Sequence, residues 1–177
     1  MRAILIATLL LSGTAAAQSS PAEPQPPVAP NTVVNFVHPE KFIDASDVAF
    51  GIRPSERMLD KLRQIFVTLG GKYLAPDQQL KIDVTDVDLA GRFQPALSPG
   101  DQVRVLRESD WPRISVHYTL EKDGVVEKQA DARIADMNYL SRQLPGRSSR
   151  SLSYEQRMLD NWFAQTFKQA PQMTRSQ

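Results

Sequence analysis

The chain has 177 residues, 41% hydrophobic and 23% charged, a length and composition that fit one globular domain. Lys and Arg total 21 against 20 Asp and Glu, a formal charge of +1, which speaks against a dedicated nucleic-acid binder with a basic face. Cysteine is absent, which excludes disulfides, cysteine-ligated zinc or iron–sulfur centres, thiol nucleophiles and cysteine-anchored lipidation.

The start carries the three parts of a secretory signal: the charge of Arg2, an apolar run over 3–11, and small residues ending in Ala15-Ala16-Ala17. The run is too short for a bilayer core, which needs roughly 20 apolar residues. Cleavage is expected after Ala17, with a Gram-negative periplasm as the destination. Removing Arg2 leaves 20 basic against 20 acidic residues, so the mature chain is formally neutral. No later segment is long and apolar enough to cross a membrane. Residues 18–32 hold five prolines and only Val28 as a sizeable apolar group, so they read as an extended linker.

The folded part is expected over 33–168, followed by a polar tail over 169–177. Val33 to Val37 read as a short strand, whereas 40–53 give no clear pattern. Residues 56–69 place Met58, Leu59, Leu62, Ile65, Phe66 and Leu69 at helical spacing, with Gly70-Gly71 as the expected stop. Leu80, Ile82 and Val84 alternate strictly, and the apolar parity then shifts to Val87 and Leu89. A bulge near Thr85-Asp86 would keep both sets on one face. Gly91 is the expected end of that strand, Pro95, Pro99 and Gly100 mark a loop, and a short strand is expected over 103–106.

Ile114, Val116, Tyr118 and Leu120 alternate with polar residues, and Asp123-Gly124 is a hairpin signal. The return strand is expected to turn Val126, Ala130, Ala132 and Ile134 to one face. Residues 141–151 read as a polar, basic loop. Ser153 and Gln156 fit a capping box for a last helix whose apolar face is Met158, Leu159, Trp162, Phe163 and Phe167. The wording shared by Arg57-Met58-Leu59-Asp60 and Arg157-Met158-Leu159-Asp160 reads as coincidence, because the segments after the two copies differ. The elements predict an α+β two-layer sandwich: an antiparallel sheet of three to four strands with two amphipathic helices on one face. Such a chain buries roughly two-thirds of its unfolded surface, enough for a core without staples.

Asp83, Asp86 and Asp88 form the densest carboxylate group, and three converging carboxylates suit a hard cation or acid–base work. The calcium-loop pattern is not met, and acidic residues alternating with Val and Leu also describe a solvated strand face. His38 and His117 are the only histidines, neither at ligand spacing with another. His117 lies on the outward side of its strand. Arg142, Arg147 and Arg150 share the basic loop, where arginine forks suit phosphate-bearing lipid or polysaccharide, or simply keep the loop solvated. Trp111 reads equally as a binding aromatic or a cap over the sheet edge. The sequence has no G-x-S-x-G, phosphate-binding glycine loop or H-E-x-x-H, and it calls for no catalytic residue, metal or cofactor.

The run Val34-Asn35-Phe36-Val37 is followed by Asp86-Val87-Asp88-Leu89-Ala90-Gly91 and by Pro112-Arg113-Ile114 leading into Tyr118-Thr119-Leu120. Asp136-Met137-Asn138-Tyr139-Leu140, Tyr154-Glu155, Arg157-Met158-Leu159-Asp160 and Trp162-Phe163 come after. In this order the chain resembles a bacterial exported family known only as a domain of unknown function, number 3016, over nearly all of 33–168. Trp111 stands where that pattern would have a second proline. The resemblance implies an exported, single-domain protein and carries over no catalytic residues. The residues themselves suggest that Tyr139, Leu140, Tyr154 and Trp162 pack on the core and that Asp136 and Asn138 cap turns.

Together these readings point to a periplasmic, non-enzymatic binding or interaction module of the envelope, its partner an envelope protein or small ligand. The alternative is an envelope hydrolase or metal-dependent enzyme built on Asp83, Asp86 and Asp88.

Overall fold

A computed structural model describes residues 31–46, 54–95, 102–141 and 152–167. The signal-like start, nearly all of the proline-rich linker, the tail, and Arg142, Arg147 and Arg150 lie outside the described residues. Six strands and two helices follow in the order β1 (Thr32–Phe36), α1 (Glu56–Tyr73), β2 (Gln78–Asp88), β3 (Arg92–Pro95), β4 (Gln102–Val105), β5 (Arg113–Lys122), β6 (Val125–Ala135) and α2 (Ser153–Thr166). The main sheet has the order β1-β2-β5-β6, and β3 and β4 form a separate two-stranded sheet. The expected α+β sandwich is present, with no described helix long and apolar enough to cross a membrane.

The expected all-antiparallel pairing fails at one place. β1 runs parallel to β2, Thr32 facing Leu80 and Phe36 facing Val84. The reason is the connection: α1 carries the chain back across the sheet face, so β2 starts at the same end as β1. The β2–β5 and β5–β6 pairs are antiparallel. Between Val84 and Asp86 the register shifts by one residue, which is the bulge that the apolar parity required. Leu80, Ile82, Val84 and Val87 are thereby all buried.

Both helices lay their apolar faces on this side of the sheet. Leu62 and Phe66 of α1 and Leu159 and Phe163 of α2 are fully enclosed against Leu80, Ile82, Ile114 and Val116. Tyr118 meets Trp162 and Phe167 edge-on at 5.5 and 5.4 Å, the geometry aromatic quadrupoles favour. The two copies of Arg-Met-Leu-Asp both bury their methionine and leucine, Met58, Leu59, Met158 and Leu159, but use their aspartates differently. Asp60 pairs within its own helix with Arg63, whereas Asp160 accepts from Lys72 at 2.6 Å and from the Tyr73 hydroxyl at 3.0 Å.

Four local expectations are corrected. β2 ends at Asp88 rather than at Gly91, and the stretch ending in Pro95, read as loop, forms strand β3 paired with β4. Gly70 and Gly71 do not stop α1, which runs on to Tyr73. Gly70 is small because β1 crosses there: a Cβ on it would stand 1.8 Å from the Thr32 hydroxyl oxygen. Ser153 is the first helical residue of α2 rather than its cap; Leu152 caps it, with left-handed backbone at φ 69°. Val126 does not face inward, because a second register shift between Leu120 and Glu121 pairs it with Glu121 and leaves it exposed. The Asp123-Gly124 turn has positive φ at both residues, the backbone of a two-residue hairpin turn.

Part of the segment 40–53, which shows no pattern in sequence, has a defined place. His38 takes left-handed backbone before a 3₁₀ turn over Pro39–Lys41, and Asp44 then bridges in parallel to Asp88. Tyr139 is fully buried as expected and donates to the Arg107 carbonyl at 2.8 Å, while Leu140 remains 39% exposed. The Asp136 carboxylate accepts the Asn138 N–H, and the Asn138 carbonyl closes the following turn onto Ser141.

Candidate functional site

The helices cover one face of the main sheet, and the pleat sends alternate side chains to the other. Along that outer face the register brings four polar residues into one row: Asn35 of β1 faces Asp83 of β2, Asp83 faces His117 of β5, and His117 faces Asp131 of β6. Adjacent strands lie about 4.8 Å apart, so the row is about 14 Å long. It is bonded at its ends. Asn35 Nδ2 donates to Asp83 Oδ1 at 3.2 Å, and His117 Nδ1 stands 2.7 Å from Asp131 Oδ1.

The second ring nitrogen of His117 lies 3.0 Å from the Gln129 side-chain amide. With Nδ1–H donating to Asp131, Nε2 accepts from Gln129, so the neutral imidazole satisfies both contacts. Lys81 and Thr119 flank the row on one side, and Asp86, Ser115 and Arg133 on the other. The outer face is therefore a band of amide, imidazole, hydroxyl and carboxylate groups with cations at its margins. The outward reading of His117 holds. Sequence reasoning missed its neighbours Asn35, Gln129 and Asp131, because strand pairing alone brings them to it.

A second polar cluster lies where β2 ends. Asp88 is fully enclosed. Its Oδ2 is gripped by Nη2 and, at 3.1 Å, by Nε of Arg113. Its Oδ1 lies 2.8 Å from Arg92 Nη1, an ion contact outside hydrogen-bond alignment. Arg104 clamps Asp44 with both terminal nitrogens, at 2.7 and 3.2 Å, and donates to the carbonyls of Ser46 and Gly91. Glu155 of α2 accepts the Ala90 N–H at 2.8 Å. Burial pushes the Glu155 carboxyl up from its ordinary value, against the pull of that hydrogen bond. The cluster joins segment 42–46, the end of β2, the β3–β4 hairpin and the start of α2.

These contacts decide what the three aspartates do. Asp83 belongs to the outer row. Asp86 accepts the Ile43 N–H at 3.1 Å and so anchors the segment after the 3₁₀ turn. Asp88 is consumed by Arg92 and Arg113. Though the bulge leaves all three on outer-face register positions, each is held by a different partner. Among the described residues no group of three His, Cys, Asp or Glu side chains is placed to hold a metal ion. Trp111 is half-buried, with the Arg113 guanidinium 5.7 Å over its ring, so its contact is to the arginine that holds Asp88.

Two shallow depressions flank this framework. One of 250 Å³ is lined by Glu108, Met137, Asn138, Leu140 and Ser141. The other, of 330 Å³, runs between the end of β6 and α2 past Met158, Asn161, Trp162 and Gln165. Fold and site together define an α+β fold with one core, one helix-covered sheet face and one polar face, whose end at Asp88 is closed over by Arg92 and Arg113. A family model matches residues 30–165, and the chain belongs to the family described as Protein of unknown function (DUF3016). No curated protein and no solved structure matches the chain.

Proposed function

We propose that this protein is a non-enzymatic binding module, exported to the periplasm after cleavage behind Ala17, and that the outer sheet face is its ligand surface. The observation that carries the reading is the row Asn35, Asp83, His117 and Asp131, aligned across all four strands of the main sheet. The hydrogen bonds at both ends of the row fix these groups sideways to one another, besides adding cross-strand stability of their own. Held in place, they present fixed donors and acceptors to a polar partner at low ordering cost. The charged groups most suggestive of chemistry are instead committed to internal bonds, as Asp88 and Asp44 are. Export rests on the charged, apolar and small-residue segments of 1–17.

The test is site-specific photo-cross-linking in the producing cell. A photoreactive residue in place of Thr119, between Lys81 and Gln129 on the outer face, should yield a defined adduct that His117→Ala weakens. The same residue in place of the exposed Gln64 of α1 should yield none. Equal adducts at both positions, or none at Thr119, would sink the reading. Sequencing of the mature N-terminus should give Gln18, and cell fractionation should place that form in the periplasm.

A further inference from the structure

The main sheet has two edges of different character. β1 is a five-residue edge, whereas β6 is an eleven-residue edge, and no described residue pairs with its outer side. Long unpaired edges are templates for another strand, and proteins blunt them with bulges and charges. On β6 the bulge falls near its turn, where the register shifts between its pairings to Leu120 and Glu121, while Lys128, Asp131 and Arg133 put charges along the rest of the edge. From Lys128 to Ala135 its pairing to β5 is regular.

The charges along this regular stretch select a partner. In antiparallel pairing of β6 with a copy of itself, residue pairs sum to a constant. Centring on Asp131 or Arg133 sets like charges against each other on the axis. Centring on Ala132 places Asp131 opposite Arg133 of the second copy, and by symmetry Arg133 opposite its Asp131. On the other face Ala130 then meets Ile134 of the second copy. Arg133 is exposed and makes no ion pair among the described residues. The Asp131 side chain is 89% exposed despite its contact with His117, and arginine has the reach to meet it.

The inner side also fits. The 330 Å³ groove between Ile134, Ala135 and the Met158–Trp162 side of α2 lies where the added strand would pass. The residue set against Ile134 there is Ala130 of the second copy, small enough to enter beside Trp162. We propose that the protein self-associates through β6 about a twofold axis at Ala132, joining two four-stranded sheets into one of eight strands. The proposal goes beyond the ligand reading and stands without it.

Sedimentation velocity of the purified protein over a range of concentrations tests this. The native chain should form a reversible dimer. Asp131→Arg and Arg133→Asp, each turning two attractive cross-strand pairs repulsive, should weaken it by about tenfold to a hundredfold. The double variant Asp131→Arg/Arg133→Asp restores opposite charges in the same register and should recover the dimer. Because the chain has no cysteine, Ala132→Cys is a clean second probe. Directly opposed antiparallel residues lie about 4.5–5.5 Å apart at Cα, within disulfide range, so this variant should oxidise to a covalent dimer. Val33→Cys on the opposite edge should not. A native chain that stays monomeric, single reversals without effect, a double swap that fails to restore, or equal oxidation at Val33 would each overturn the proposal.

Discussion

Replacing Gly70 by alanine should destabilise the protein, whereas the same change one residue later should stabilise it. Both glycines lie inside α1, where alanine is favoured over glycine by about 1 kcal/mol. At Gly71 an added Cβ meets nothing within 4 Å, so Gly71→Ala should gain about 0.5–1 kcal/mol. At Gly70 the new methyl would stand 1.8 Å from Thr32 Oγ1 and 2.9 Å from Thr32 Cβ. Rotation of the threonine relieves the first clash but not the second, since Cβ is fixed to the buried β1 backbone. Overpacking of this kind costs about 3 kcal/mol at the upper end, and the helical gain of about 1 kcal/mol leaves a net loss of about 2 kcal/mol. Urea unfolding followed by circular dichroism measures both. With an m-value of about 2 kcal/mol/M, Gly70→Ala should lower the midpoint by about 1 M and Gly71→Ala should raise it. In a Thr32→Ala background, which removes the hydroxyl but keeps Cβ, the cost at Gly70 should shrink without vanishing. Equal stabilisation by both glycine replacements would refute the account, because it would mean that no close approach of β1 restricts Gly70.

At the end of β2, Asp88→Ala leaves Arg92 and Arg113 facing a buried void and should cost about 3 kcal/mol in the same assay, whereas Asp83→Asn on the outer row should stay within about 0.5 kcal/mol. Similar losses at both would remove the distinction drawn between them. Gly91 has φ 76°, and a Cβ there would stand 2.5 Å from the Val105 carbonyl oxygen, so Gly91→Ala should lower stability by about 1–3 kcal/mol; a neutral result would show that the β3–β4 hairpin yields. For Glu155, burial raises the folded-state carboxyl above its ordinary value of 4.5. The stability that its neutral form contributes is therefore fully present below the unfolded value and lost as pH rises through the folded one. Glu155→Gln keeps an acceptor for Ala90 without the charge. Its stability relative to the native chain should be near parity at pH about 4 and turn increasingly in its favour towards pH 8. A difference that does not change with pH would refute this.

The legible part of the fold was what lies within a few residues of itself. Helical spacing located Met58 to Leu69 and Met158 to Phe167, alternation located β5, and Asp123-Gly124 located its hairpin. The parity slip between Val84 and Val87 even announced the bulge, because a buried face tolerates no other way of keeping both sets inside. Misreadings arose where a residue's local meaning and its tertiary use diverge. Gly70 has the composition of a helix stop, yet its smallness answers to a strand from another part of the chain. Val126 continues an alternating pattern, yet the bulge opposite Leu120 turns it outward.

The candidate sites divide in the same way. His117 was placed on the outward face by alternation alone. Its alignment with Asn35, Asp83 and Asp131 was invisible, since the row exists only once four strand registers are set. The aspartates 83, 86 and 88 look alike in sequence, but only Asp88 is enclosed, because Arg92 and Arg113 are brought to it from beyond the strand. Glu155 gave no sign of burial beside Tyr154, and it is enclosed because Ala90 and the Arg104 cluster dock on the start of α2.

The sequence by itself determined both helices and most of the strands, the apolar faces of the helices, of β2 and of β5, and the exclusion of cysteine chemistry, because hydrophobic periodicity and composition act locally. Only the tertiary structure decided that β1 runs parallel to β2, which carboxylate is buried, and which polar groups share a row. Those outcomes depend on contacts between segments far apart in the chain, where the energy of a pairing belongs to neither partner's own sequence.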